Sequence, residues 1–147
     1  MGCATGGFYR YFLRIWPSLQ YKGFDISEVA VAQARKLYPR TSFTVFDGNL
    51  KSQSDIRSDV VFSRDVVHHQ ENPTQFLTDL YDATEKYLVF RIRTREVGST
   101  VFDTSQSCQY TYGLWVPYIV YNTSELVELL RSFTPPPAEI TIWRNPS

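Results

Sequence analysis

Apolar positions recur with a helical period at Phe8, Phe12, Ile15 and Trp16, and Pro17 ends that run. Residues 21–26 then read as a short strand closing on an acid. Ser27 is placed to cap a second helix with an inner face of Ala30, Ala34, Leu37 and Tyr38, and Pro39 closes it. A strand over residues 42–46 runs into Asp47-Gly48-Asn49, and residues 59–63 read as a fully buried strand. Asn72, Pro73 and Gln75 are a cap, a first-turn proline and a capping-box residue, ahead of the stripe Phe76, Leu77, Leu80 and Tyr81. A strand over residues 87–92 follows. Residues 96–121 show little helical period. A helix then starts at Asn122 and carries Leu126, Leu129, Leu130 and Phe133, and a last strand is expected over residues 138–143, after the breaker Pro135-Pro136-Pro137.

Strands alternating with helices predict an α/β fold with a mostly parallel sheet. At 147 residues the chain is one domain, and 43% hydrophobic residues are enough for a core. Fifteen basic residues balance fifteen acidic ones, so bulk charge offers no reason to expect nucleic acid. No apolar run approaches the roughly 18 residues of a membrane span, so no membrane partner is expected. Two cysteines, Cys3 and Cys108, make neither a disulfide framework nor a zinc site, and a reducing, cytoplasmic setting is the default; no metal is expected. Oligomeric state is not set by the sequence.

In parallel sheets ligands lie beyond the carboxyl ends of the strands, so the turns there carry the chemistry. Gly2, Ala4 and Gly6 form a small-residue turn opening a helix, where backbone N–H groups favour an anionic group. The same turn also suits a purely structural helix entry. Asp25 ends the next strand: its carboxylate fits two ribose hydroxyls, or the start of the helix at Ser27. Asp47 ends the strand after that and fits an exocyclic adenine amine, or an ordinary Asp-Gly turn. Taken in order, the three outline a nucleoside-shaped ligand.

In that order the chain resembles the class I S-adenosylmethionine-dependent methyltransferases. Gly2-Cys3-Ala4-Thr5-Gly6-Gly7-Phe8 is similar to the glycine motif of that family, with Ala4 where glycine is usual. Phe24-Asp25-Ile26-Ser27 resembles its ribose-binding strand end, and Phe46-Asp47-Gly48-Asn49 its adenine-binding turn. Residues 60–69 resemble its fourth strand and the segment beyond, and Tyr121-Asn122-Thr123-Ser124-Glu125-Leu126 a late helix start. The likeness runs from Gly2 to about Phe133.

The resemblance implies a Rossmann-like three-layer sandwich and S-adenosylmethionine as cofactor. It implies Gly2, Cys3, Ala4 and Gly6 beside the methionine part, Asp25 on the ribose and Ile26 on the adenine. Asp47 would take the adenine amine beside Gly48 and Asn49, with Ser63 and Arg64 near the methionine end. Ala4 is tolerable if its φ is negative. The family opens with a strand and an acid ahead of the glycine turn, and only Met1 precedes Gly2 here. The expectation is therefore a single incomplete domain over residues 1–147, N-terminally truncated, lacking the first strand and also the last.

Methyl transfer from a sulfonium is an in-line displacement that rests mainly on alignment. His69 matches a histidine common in small-molecule members and is the candidate base; the alternative for His68 and His69 is packing at a strand–loop junction. Arg91, Arg93 and Arg95 alternate and suit either an anionic acceptor group or a solvated strand end. Tyr110, Tyr112, Trp115, Tyr118 and Tyr121 suit either an aromatic pocket or a staple over the sheet edge, in a segment (97–121) where the family places substrate-side insertions. Cys108 reads as a small buried residue. The predicted reaction is methyl transfer to a small-molecule acceptor, sugar-like acceptors included. The alternatives are a nicotinamide-dinucleotide oxidoreductase, since Gly2-x-Ala4-x-x-Gly7 also fits that fingerprint, and a non-catalytic interaction module.

Overall fold

The computed structural model describes residues 1–50, 56–111 and 113–144. In chain order its elements are α1 (Gly7–Ile15), β1 (Lys22–Asp25), α2 (Glu28–Leu37), β2 (Ser42–Val45), β3 (Ser58–Arg64), a 3-10 turn (Val67–His69), α3 (Pro73–Asp82), β4 (Thr84–Arg91), β5 (Thr94–Arg95), β6 (Cys108–Thr111), β7 (Leu114–Pro117), β8 (Tyr121–Asn122) and α4 (Thr123–Arg131). The fold is mixed α/β. No described helix is long and apolar enough to cross a membrane.

Side-chain caps set the starts of three helices. Ser27 Oγ accepts from Ala30 N at 3.2 Å, and Asn72 Oδ1 from Gln75 N at 3.0 Å. Asn122 Oδ1 accepts from Ser124 N and Glu125 N. Each cap satisfies a backbone donor that the first helical turn would otherwise leave bare, worth about 1 kcal/mol. Gln75 does not close the capping box: its amide donates to Asp79 instead, at 2.8 Å.

Among the described residues the strands pair two by two and form no continuous sheet. β1 lies parallel to β2 with Asp25 opposite Val45, and β3 parallel to β4 with Arg64 opposite Arg91. β5 and β8 form a short parallel pair, and β6 and β7 an antiparallel hairpin turned at Gly113 (φ 81°). The opening residues connect the first two pairs. The Met1 nitrogen donates to Phe62 O at 2.6 Å on β3, and Cys3 N to Phe24 O at 3.0 Å on β1.

Two apolar clusters result. The larger joins Phe24, Phe46, Val61, Leu77, Leu80 and Tyr121 with the buried face of α4. Its fully buried Leu77 and Leu80 are each worth about 1.5–3 kcal/mol by transfer. The smaller holds Cys3, Val31, Ala34 and Phe43 against α2.

Several local expectations are corrected. α1 buries no residue completely: Phe8 and Phe12 rest on the Phe62 ring at 4.9 and 5.2 Å, and Ile15 and Trp16 face solvent because Phe62 covers only the first turns. The inner face of α2 is Val31 and Ala34, which meet Phe43, while Leu37 is exposed. β3 is buried on one face only, at Val61 and Ser63, and Val60 is exposed, as the period-2 alternation of a half-covered strand requires. Residues 138–143 form no strand. Ile140 packs on the larger cluster, but Ile142 and Trp143 are exposed and pair with nothing among the described residues.

Candidate functional site

The loop over residues 2–6 is built on left-handed backbone. Gly2, Ala4 and Gly6 have φ of 69°, 45° and 86°. A Cβ at Gly2 would collide with Val66 Cγ2, and one at Gly6 would lie 2.8 Å from the Tyr38 ring, so only glycine fits either place. Ala4 corrects the expectation of a negative φ there. An L-residue held in that region costs about 1–2 kcal/mol. Its backbone N–H is fixed by Asp25, whose Oδ2 accepts it at 2.7 Å.

Asp25 therefore does two local jobs at the end of β1. Oδ2 holds the loop, and Oδ1 accepts from Ser27 N at 3.0 Å at the head of α2. Each carboxylate oxygen keeps a lone pair for a further donor. Ile26 beside it is 73% exposed, an apolar side chain open to a flat partner.

Phe46 N donates to Asp25 O at 2.8 Å, so Asp47 follows directly at the carboxyl edge shared by β1 and β2. Asp47 Oδ1 accepts from Asn49 N at 2.9 Å and closes the turn. Asp47, Gly48 and Asn49 are exposed, and Gly48 (φ 91°) has open space where a Cβ would be. Loop, Asp25, Ile26 and the Asp47 turn thus stand along one edge.

Cys3 faces inward. It is 4% exposed, and burial first, then the Asp25 charge, push its thiol up to about 11. This excludes ready thiolate chemistry in the loop.

The end of β3 carries a second group of side chains. Ser63 is fully buried and its Oγ has no hydrogen-bond partner among the described residues. Arg64 lies 3.2 Å from Asp65 and 5.4 Å from the centroid of the Phe8 ring. Arg91 pairs with the same Asp65 at 3.4 Å. Such part-exposed pairs contribute only about 0–1 kcal/mol each.

The two histidines separate. His68 is buried, its Nδ1 has no partner among the described residues, and desolvation first, then the neighbouring His69 ring, lower its pKa to about 4. It is a neutral packing residue. The His69 Nδ1 lies 2.8 Å from Pro117 O on β7. A carbonyl oxygen only accepts, so Nδ1 carries the proton there, and the lone pair of the uncharged imidazole form lies at Nε2. Pro117 is 48 residues away, and no local pattern could have announced this contact.

The structure also divides the arginines and aromatics that the sequence grouped. Arg91 is paired, Arg93 is exposed, and Arg95 lines a cavity of about 310 Å³. Tyr121 is core and lies 3.1 Å by its hydroxyl from Thr74 Oγ1. Tyr118 packs on both histidine rings, with centroids 5.1 and 5.7 Å away. Tyr110 and Trp115 stack on each other at the surface, and Tyr112 lies outside the described residues. Cys108 is half-exposed rather than buried, and it lines both the first cavity and a second of about 480 Å³ edged by Glu71, Trp115 and Pro117.

The sequence model of a family described as "Methyltransferase domain" matches residues 1–86, the stretch holding the loop, Asp25, Asp47, β3 and both histidines. The chain belongs to this family, of the class I S-adenosylmethionine-dependent type. No curated protein is significantly similar to the chain. Among solved structures, this methyltransferase domain is similar to the plantazolicin methyltransferase BpumL, determined with SAH and a pentazolic desmethylPZN analog. The TM-score is 0.61 at 22% identity, over 93% of this chain and 55% of that one. BpumL with the triazolic analog and SAH gives TM-score 0.61 at 21% identity, over 93% and 54%. The PH0226 protein from Pyrococcus horikoshii OT3 gives 0.57 at 21% identity, over 87% of this chain and 68% of that one. At these identities the likeness is one of fold, and the methyltransferase domain spans about half the length of BpumL.

Proposed function

We propose that this domain binds S-adenosylmethionine along the edge formed by the loop, Asp25 and Asp47, and transfers its methyl group to a small-molecule acceptor, sugar-like acceptors included. The observation that carries the reading is the hydrogen bond from Ala4 N to Asp25 Oδ2, which joins the glycine motif to the acidic strand end at 2.7 Å. In this reading Gly2, Cys3, Ala4 and Gly6 border the methionine part. Asp25 takes the ribose hydroxyls with its remaining lone pairs, and Ile26 covers the adenine. Asp47 takes the adenine amine beside Gly48 and Asn49, and Ser63 and Arg64 lie at the methionine end. The partnerless, buried Ser63 Oγ and the open space over Gly48 support the fit.

When bound, the cofactor supplies a methyl group on a sulfonium. The chain's own task is to hold the acceptor in line and exclude water. Where the acceptor must lose a proton, the His69 Nε2 lone pair receives it, with Pro117 O fixing the ring. Residues 97–121 form the acceptor side. A Rossmann-like three-layer arrangement with a mostly parallel sheet belongs to the same proposal, supported by the parallel pairing of β1 with β2 and of β3 with β4. So does a reducing, cytoplasmic setting, supported by two free thiols.

Calorimetric titration of S-adenosylhomocysteine into the 147-residue chain tests the reading. Saturable binding is expected, weakened at least tenfold (about 1.4 kcal/mol) in Asp25→Ala. Absence of binding by a chain whose circular dichroism shows it folded would overturn it.

A further inference from the structure

The three arginines at the end of β4 differ in what they meet. Arg91 lies beside Asp65, Arg93 points to solvent, and Arg95 on β5 turns into the cavity of about 310 Å³ that it shares with Gln106, Ser107, Cys108, Tyr118 and Val120. The Arg95 Nε is buried and has no hydrogen-bond partner among the described residues. Among the described residues no carboxylate stands within ion-pairing distance of its guanidinium. Glu125 is the nearby acid, and its carboxylate is already held by Thr100 N at 2.9 Å. The other polar walls are committed elsewhere: Gln106 Nε2 donates to Asp103 at 2.8 Å and Ser107 Oγ to Val101 O at 2.6 Å.

The cavity therefore offers one cation with no contact ion pair among the described residues, one phenol ring, a thiol and an aliphatic side chain. A guanidinium binds a carboxylate through two parallel N–H groups, and a carboxylate seated in the cavity would give the Arg95 guanidinium the anionic partner it lacks. A single positive charge matches a monoanion and leaves a phosphate dianion half-compensated. The Tyr118 wall suits an apolar or aromatic body attached to that carboxylate. The same Tyr118 ring packs against His69, so a molecule held in the cavity lies one side chain from the candidate base.

We propose that this cavity is a binding site for a small apolar or aromatic carboxylic acid, anchored by Arg95. Resting on the methyltransferase reading, that acid is the methyl acceptor.

Benzoate is the probe, followed by calorimetry and by the Arg95 Nε–Hε signal in nitrogen-edited NMR. Benzamide serves as the neutral isostere and phenyl phosphate as the dianion. Benzoate should shift that signal saturably in the unaltered chain, and benzamide should not. Arg95→Gln should weaken benzoate at least tenfold, Arg95→Lys less so, and Arg93→Gln by under twofold. Equal binding of benzoate and benzamide, tighter binding of phenyl phosphate, or an Arg95→Gln chain that binds benzoate normally would each overturn the site. The unaltered-chain signal decides the matter even if Arg95→Gln misfolds. The experiment uses no cofactor, so it separates from the S-adenosylhomocysteine titration. Benzoate binding without S-adenosylhomocysteine binding supports the site and removes its assignment to the acceptor. The reverse result overturns the site and leaves the cofactor reading intact.

Discussion

Replacing Ala4 with glycine should stabilise the protein, against the usual penalty for adding glycine. Ala4 sits at φ 45°, exposed, with its N–H held by Asp25 at 2.7 Å. The left-handed conformation costs an L-residue about 1–2 kcal/mol, and glycine removes that cost. Glycine adds back about 0.4–1 kcal/mol through the greater freedom of the unfolded chain. The exposed methyl group contributes no packing that would be lost. The balance is a gain of about 0.5–1 kcal/mol, which for a chain of this length corresponds to a rise in Tm of about 2–3 °C. Urea and thermal unfolding of Ala4→Gly against the parent would measure it, and affinity for S-adenosylhomocysteine should stay within a few-fold. A fall in Tm of the same size would refute the reasoning, because it would mean that Ala4 is not held at positive φ.

Two further outcomes follow from buried groups. The His68 imidazole is lowered from 6.5 to about 4, so between those values the unfolded chain binds more protons than the folded one. Stability should then be full above about pH 6.5 and fall as the pH drops to about 4, with His68 supplying a slope of up to about 1.4 kcal/mol per pH unit. His68→Phe should flatten that slope in urea titrations, and an unchanged slope would count against a neutral His68. Iodoacetamide on the native chain near pH 8 should modify half-exposed Cys108 and spare Cys3, whose thiol at about 11 holds roughly a hundredfold less thiolate than an ordinary one. Mass spectrometry showing equal labelling would contradict the packing of the loop.

The helix starts were legible because capping is local. Ser27, Asn72 and Asn122 act within three residues of themselves, and each caps as its position implied. The edge of β1 and β2 was legible for a related reason: parallel strands put their carboxyl ends together, so Asp25 and Asp47 fall at one end of the pair, Asp47 two residues past the Val45 that faces Asp25. Features set by distant neighbours were not legible. The hairpin of β6 and β7 was missed because its strands carry Tyr110, Trp115 and Leu114 at the surface, where no alternation toward a core exists to be seen. The last strand failed to form because apolar residues at 140–143 lack a partner edge among the described residues, which no sequence pattern records. The φ of Ala4 depends on a carboxylate 21 residues away. The separate fates of Arg91, Arg93 and Arg95 depend on Asp65 and on the hairpin wall, so their shared spacing carried no information about them.

The first three residues act as a rivet. One backbone nitrogen bonds to each of the two strand pairs, at Phe62 and Phe24, and the next link of the same loop is bonded to Asp25. Clamping force between the two halves and the shape of the edge at Asp25 are consequently one mechanical property. Whatever seats itself on that loop would stiffen the whole body, and whatever frays the rivet would blur the edge before any side chain on it had changed.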